Sequence, residues 1–140
     1  MKETTLWGHL KPELKRLGKF QKISDRFTPG VPDVIGCSEG VPYALELKEF
    51  HGIHLLKVRF RPGQLDWLMD WVSSGGVGLI VVSHGSNKVW CFEPAIGQNL
   101  EDGVSPDWAS EHSIISFQKT RGNGWIDFLK QLRSIRNGSS

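Results

Sequence analysis

The hydrophobic and polar positions of this chain alternate with periods that predict helices and strands in turn. The first pattern is a row of leucines at helical spacing: Leu6, Leu10, Leu14 and Leu17. It predicts a helix that stops near Gly18, followed by a short strand over residues 20–23. Residues 34–37 and 43–48 then predict a hairpin whose turn occupies residues 38–42.

The rest of the chain continues this alternation. After a link at residues 51–61, whose form the pattern leaves open, Pro62 and Gly63 begin a second helix that Gly75 and Gly76 end. Four segments follow: an apolar strand at 77–82, a second strand at 89–92, a long irregular loop at 93–111 and an amphipathic helix around 125–135. These elements predict a single α/β domain over residues 1–140, with a mixed central sheet flanked by helices.

The hairpin carries the most informative polar residues. Side chains of a strand alternate between its two faces, so Glu46 and Lys48 point to one face while the leucines beside them point to the other. Asp33 lies at the edge of the preceding strand, where pairing would bring it close to Glu46. Two carboxylates and one amine are then placed to hold a divalent cation and a phosphodiester together.

The chain itself contains two controls for this motif. Glu13-Leu14-Lys15 repeats the tripeptide inside a helical pattern, where its two charged ends would point about 200° apart. Pro106-Asp107 repeats the Pro-Asp dipeptide, but no Glu-x-Lys follows it. The Pro-Asp dipeptide and the Glu-x-Lys tripeptide are each common by chance. The signal at residues 33–48 therefore depends on the order of these two motifs, the distance between them and the strands on which they lie.

Charge is nearly balanced overall but unevenly distributed. The net charge is +2, yet residues 1–26 hold seven Lys or Arg against three acids, and residues 113–140 hold five against one. Residues 93–112 carry five acidic residues and no Lys or Arg. Basic patches at both ends suit a polyanion, because attraction to phosphates depends on the local field. A solvated surface with ordinary lysines is the other interpretation.

Cysteine content and hydropathy indicate the cellular setting. Cys37 and Cys91 lie in apolar, strand-like runs, which predicts neither a disulfide framework nor a Cys-rich zinc site. The N-terminus lacks an apolar signal core, and the longest apolar run, residues 77–82, is too short to cross a bilayer. We therefore expect a soluble, cytoplasmic protein with no membrane partner.

Three motifs together resemble the PD-(D/E)XK nuclease superfamily: Gly30-Val31-Pro32-Asp33, Glu46-Leu47-Lys48 and Gln64-Leu65-Asp66-Trp67-Leu68. Over about residues 6–82 the chain is similar to the small stand-alone VRR-NUC type of phages and bacteria. The resemblance implies a restriction-endonuclease-like fold and a metal-dependent DNA endonuclease. It also implies a preference for branched DNA, such as the Holliday junction, and a homodimer.

The resemblance further implies a role for each motif residue. Asp33, Glu46 and the carbonyl of Leu47 would bind Mg²⁺ or Mn²⁺. Lys48 would be the catalytic lysine, and Gln64 a supporting catalytic residue on the second helix. The family commonly adds an acidic residue from the first helix, and three candidates stay open for that role: Glu3, Glu13 and His9.

Several of these residues also have a structural interpretation. Glu46 and Lys48 would also fit an exposed cross-strand pair on a sheet edge, which is the lesser interpretation, and Gln64 would fit a helix cap equally well. A basic strip alternates with apolar residues in the link and would either track a phosphate backbone or face solvent: Lys57, Arg59 and Arg61. His51 and His54 have a spacing that can bind zinc, but no second ligand pair follows. A DNA-binding or assembly protein without catalysis is the alternative function.

Overall fold

The computed structural model describes residues 5–23, 27–85, 88–118 and 124–138. The helices are α1 (Thr5–Leu17), α2 (Gln64–Ser73), α3 (Gly97–Asp102), α4 (Pro106–His112) and α5 (Gly124–Gly138), with a short 3-10 helix at Pro94–Ile96. The strands are β1 (Lys19–Lys22), β2 (Val34–Ser38), β3 (Val41–Phe50), β4 (Val77–His84), β5 (Lys88–Phe92) and β6 (Ile115–Gln118). None of the described helices combines the length and apolarity that a bilayer-spanning segment needs.

The six described strands form one sheet in sequence order, from β1 to β6. All neighbours are antiparallel except β3 and β4, which run parallel. A parallel pair needs a crossover connection. The chain between β3 and β4 supplies it with an extended segment, residues 56–61, followed by helix α2. The predicted α/β domain with a mixed sheet and flanking helices is therefore confirmed.

Alternation along the strands gives the sheet two buried faces. One face packs against α1 and α5 through apolar residues that include Leu6, Leu10, Leu14, Leu45, Leu79, Val81, Phe128 and Leu132. The other face packs against α2, α3, α4 and the extended segment through Ala44, Leu56, Val58, Phe60, Leu68, Ile80, Val82 and Leu100. Since Glu46 and Lys48 have the parity of Ala44, they point to the second face.

The structure differs from the sequence prediction in three places. The hairpin turn is tighter than expected, because β2 extends to Ser38 and β3 begins at Val41. Two residues remain, Glu39 with φ 51° and Gly40 with φ 81°, and positive φ at both positions is typical of a type I′ turn. The prediction of an irregular loop at residues 93–111 was wrong, since this segment forms a 3-10 helix, α3 and α4. Strand β6 was not predicted.

Backbone contact between two glycines fixes the loop that leads to Asp33. Gly30 has φ 82°, and a Cβ at this position would overlap the carbonyl group of Gly63, which immediately precedes α2. The loop before β2 and the start of α2 therefore approach more closely than an alanine would allow.

We expect Gly30→Ala to lower the free energy of unfolding by about 3 kcal/mol, because it adds a backbone clash to an unfavourable φ. Gly40 is the matched control, since its φ is 81° but a Cβ there meets nothing within 4 Å. Gly40→Ala should cost only about 1 kcal/mol. Urea unfolding of both variants measures the difference, and equal losses would show that the Gly30–Gly63 contact does not matter.

Candidate functional site

Strand pairing brings the two predicted carboxylates together. The register places Val34 opposite Leu45, so Asp33 stands beside Glu46 at the end of the β2–β3 ladder. The backbone N–H of Asp33 donates to Oε1 of Glu46 at 3.2 Å. The backbone N–H of Leu47 donates to Oδ2 of Asp33 at 2.7 Å. Both carboxylates are thus held by the backbone rather than by flexible partners.

The Glu46 side chain is completely buried, with 0% of its surface exposed. Its Oε2 atom has no hydrogen-bond partner in the part of the chain that the structure describes. Burial, followed by the nearby charge of Asp33, raises the pKa of Glu46 from 4.5 to about 8. The interpretation of Glu46 as an exposed cross-strand residue was therefore wrong, and its orphaned oxygen needs a partner that the described residues do not provide.

Lys48 and Gln64 meet on the same face of the sheet. Lys48 Nζ donates to Oε1 of Gln64 at 3.0 Å, and the backbone N–H of Arg61 donates to the same oxygen at 2.7 Å. Gln64 is 2% exposed, and the helix is preceded by Gly63 without a side-chain cap. Gln64 therefore joins the lysine to the segment before α2 instead of capping the helix.

The surroundings of Lys48 oppose its positive charge only in part. Burial is the largest influence and lowers the pKa of Lys48, whereas the charges of Glu46 and Asp33 act to raise it. The ring of Phe60 covers the amine, with Nζ 4.9 Å from the ring centroid. Lys48 is consequently a half-buried amine in a fixed position rather than a mobile surface lysine.

Two residues around Lys48 were not predicted as parts of the site. Phe60 contacts the amine, and its backbone N–H donates to Oε2 of Glu101 at 3.2 Å. The charge of Glu101 also reaches Lys48. Phe60 was visible in the alternation of the link, but Glu101 lies in a segment predicted as an irregular loop. No sequence signal connected it to the hairpin.

The basic strip has the alternation that the sequence predicted. Lys57, Arg59 and Arg61 are exposed, and the apolar residues between them are buried. A bridge between Leu56 and Val104 holds this segment against the turn between α3 and α4. The N–H of Val58 also donates to the carbonyl of Leu100 at 3.1 Å. The row of cations is thus fixed along an extended backbone that ends next to Gln64.

The donor atoms near Asp33 are suited to a hard cation. Two of them are the carboxylates. The third is the carbonyl of Leu47: the N–H of Leu47 donates to Asp33, and the N–H and C=O of a strand residue point to the same side. Oxygen donors of this kind are those that Mg²⁺ and Mn²⁺ prefer. The orphaned Oε2 of Glu46 fits such an ion, because a cation would satisfy it without a further hydrogen bond.

The described residues do not supply a third acidic or histidine ligand. Within residues 5–23, 27–85, 88–118 and 124–138, no group of three His, Cys, Asp or Glu could hold a metal. His9 packs on Trp125, with ring centroids 6.1 Å apart, and Glu13 lies 4.0 Å from Arg16. Glu3 lies outside the described residues. His51 and His54 are exposed and belong to no such group.

Comparisons with known proteins agree with this architecture. No protein-family model matches the chain, and no curated protein matches it. Twenty chains of solved structures match, one of which is Hjc, a Holliday junction resolvase from the archaeal hyperthermophile Archaeoglobus fulgidus. The TM-score is 0.53 at 13% identity, over 77% of this chain and 98% of the resolvase. The likeness shows that this chain has the fold of that resolvase.

Proposed function

We propose that this protein is a metal-dependent endonuclease that hydrolyses phosphodiester bonds of DNA at Asp33, Glu46 and Lys48. The observation that carries the proposal is the buried Glu46 carboxylate, whose orphaned oxygen lies beside a second carboxylate and near a fixed amine. Buried carboxyl oxygens are normally hydrogen-bonded, so an oxygen without a partner beside a second carboxylate favours a site for a cation. The likeness to a Holliday junction resolvase supports the same class of activity.

Each side chain has a distinct task in this proposal. Asp33, Glu46 and the carbonyl of Leu47 would hold Mg²⁺ or Mn²⁺. When bound, such an ion supplies positive charge to the scissile phosphate and makes water a better nucleophile at neutral pH. Asp33 is kept in place by the Leu47 N–H, so the oxygen donors do not have to reorganise.

Lys48 would stabilise the negative charge that develops on the phosphate during cleavage. Its amine is held by Gln64 and partly shielded from water by Phe60, where an electrostatic contact is stronger than in bulk solvent. Gln64 acts through Lys48 and is a positioning residue. The roles of all five residues are proposals that rest on this geometry.

The basic strip would bind the DNA backbone next to the site. Lys57, Arg59 and Arg61 project to solvent from one edge of the extended segment, and Arg61 is directly linked to Gln64. A row of cations along an extended backbone suits the regular spacing of phosphates. Branched DNA is the proposed substrate, and the fold shared with one junction resolvase supports it. A homodimer and membership of the VRR-NUC type stay predictions.

Cleavage assays on supercoiled plasmid and on a four-way junction test the proposal directly. With Mg²⁺ we expect nicking of the plasmid and cleavage of the junction, and with EDTA neither. Asp33→Asn should abolish cleavage, because it removes a carboxylate donor while the fold is kept. Asp107→Asn is the matched control, since it alters the other Pro-Asp dipeptide, on the exposed surface of α4. Equal activity of both variants would point to a contaminating nuclease.

The second candidate function is a DNA-binding or assembly protein that does not cleave. The observation that favours it is the lack of a third metal-binding side chain among the described residues. The same assays separate the two functions. Junction binding without any cleavage in Mg²⁺ or Mn²⁺ would support the binding protein and overturn the nuclease.

A further inference from the structure

A basic groove lies between helix α1 and strand β1, apart from the carboxylate site. The groove encloses about 370 Å³. Its lining includes four lysines and two aromatic residues: Lys11, Lys15, Lys19, Lys22, Trp7 and Phe20. No Asp or Glu is found among the described residues that line it. This is a concentration of positive charge that the proposed cleavage site does not use.

The local fold explains why these lysines converge. Trp7, Lys11 and Lys15 are spaced four residues apart, so they lie on one side of α1. The helix ends at Leu17, and the chain reverses through Gly18, which leaves no room for a side chain against the carbonyl of Cys37. Strand β1 then runs back along the helix: Lys22 shares the face of Phe20, which packs towards α1, and Lys19 lines the groove from the start of the strand, next to Gly18.

The dimensions of the groove match a phosphate backbone. The four residues of β1 extend over about 13 Å. One strand of duplex DNA carries a phosphate for every ~3.4 Å of helix axis, so a groove of this length can contact more than one phosphate. Trp7 is only 4% exposed and Phe20 is half-buried, which leaves little aromatic surface for stacking on bases. The groove is therefore suited to the sugar-phosphate backbone and not to reading base sequence.

The groove and the cleavage site lie on opposite faces of the sheet. Helix α1 packs on the face of Leu45, whereas Glu46 points to the other face. The two regions nevertheless adjoin at one edge, because Lys22 pairs with Val34 and the N–H of Ile23 donates to the carbonyl of Asp33 at 2.7 Å. A bent or branched DNA that passes this edge would contact both.

We propose that the groove between α1 and β1 is a second DNA-binding surface, which holds backbone phosphates outside the cleavage site. The inference rests on the proposed function, because that function makes DNA the polyanion that the protein meets. It adds a contact that neither the motif at residues 33–48 nor the basic strip provides.

The test is the salt dependence of DNA binding by the full-length chain in EDTA, where no cleavage interferes. We expect Lys11→Gln/Lys15→Gln to reduce the slope of log Kobs against log salt by about 1.8, because each phosphate contact contributes about 0.9. Affinity for a four-way junction near 0.1 M salt should fall about 60-fold, because a slope change of about 1.8 acts over the decade between 1 M and 0.1 M salt. Lys11→Arg/Lys15→Arg should keep the wild-type slope.

The control pair is Lys130→Gln/Arg133→Gln, which removes the same charge from exposed positions on α5. We expect this pair to leave the slope unchanged, because Lys130 and Arg133 line no part of the groove and we assign this part of the C-terminal basic patch to the solvated surface. The inference is overturned if Lys11→Gln/Lys15→Gln keeps the wild-type slope, or if the α5 pair loses as much. Binding is measured without metal and is therefore independent of cleavage. If the wild-type protein never cleaved DNA, but Lys11→Gln/Lys15→Gln reduced the slope of log Kobs against log salt as expected, the proposed function would be overturned and this inference would stand.

Discussion

Replacing Lys48 by Met should lower the single-turnover rate of DNA cleavage about 10³-fold and change the Kd for DNA less than threefold. The amine is held at 3.0 Å by Gln64 Oε1 and is half-buried, so water cannot easily take over its charge in the transition state. Methionine keeps the apolar length of the side chain beside Phe60 and removes only the charge. The measurements are quenched-flow cleavage at saturating protein and binding in EDTA.

Lys130→Met is the control for this experiment, because Lys130 is exposed on α5 and lies far from the hairpin in sequence. It should cleave at the wild-type rate. If the Lys48 variant turned over as fast as the wild type, the catalytic role of this lysine would be wrong. If it lost affinity and kept its rate, Lys48 would be a binding residue instead.

The metal-free protein should become less stable as pH rises from about 5 to 9, and Glu46→Gln should remove most of this dependence. The pKa of Glu46 is about 8 in the folded chain, against 4.5 for the ordinary group. The folded state therefore holds the proton more tightly than the unfolded state. Its contribution to stability is complete below pH 4.5 and is lost as pH rises through about 8. The loss is on the order of a few kcal/mol.

Added Mg²⁺ should reverse this loss at pH 9 in the wild type and have no such effect in Glu46→Gln, because binding to the folded state stabilises it. Urea unfolding at pH 5, 7 and 9, with Mg²⁺ or EDTA, measures both effects. Glu49→Gln is the matched control, since Glu49 is a half-buried carboxylate on the same strand. It should behave as the wild type does. Stability that stays flat with pH in the wild type would contradict the burial of an orphaned carboxylate.

The elements that the sequence predicted well are those with long periodic signals. Helix α1 has four leucines at helical spacing, and the hairpin has alternation on both sides of a turn. Helices α3 and α4 have six and seven residues, too few for a period of 3.6 to show among the prolines and glycines around them. The signal that was available for α4 is its N-terminal cap. Ser105 stands directly before Pro106, and its Oγ accepts the backbone N–H of Trp108.

In the candidate site, too, the features that follow from local patterns were predicted and those that depend on distant segments were not. The approach of Asp33 to Glu46 followed from the hairpin register, and the shared direction of Glu46 and Lys48 followed from strand alternation. The burial of Glu46 could not be predicted, because it depends on the segments that cover the second face of the sheet. The contact of Glu101 with the backbone of Phe60 joins residues 41 positions apart, which no local pattern encodes.

Strand β1 forms one border of the sheet, so the outer edge of its backbone has no neighbouring strand in the described structure. A border of this kind can recruit a strand from another molecule and start aggregation. Lys19 and Lys22 place two positive charges within its four residues, and two such borders would repel each other on approach. Copies of this chain are thereby discouraged from joining edge to edge at β1, and a two-fold assembly would have to form through a different surface.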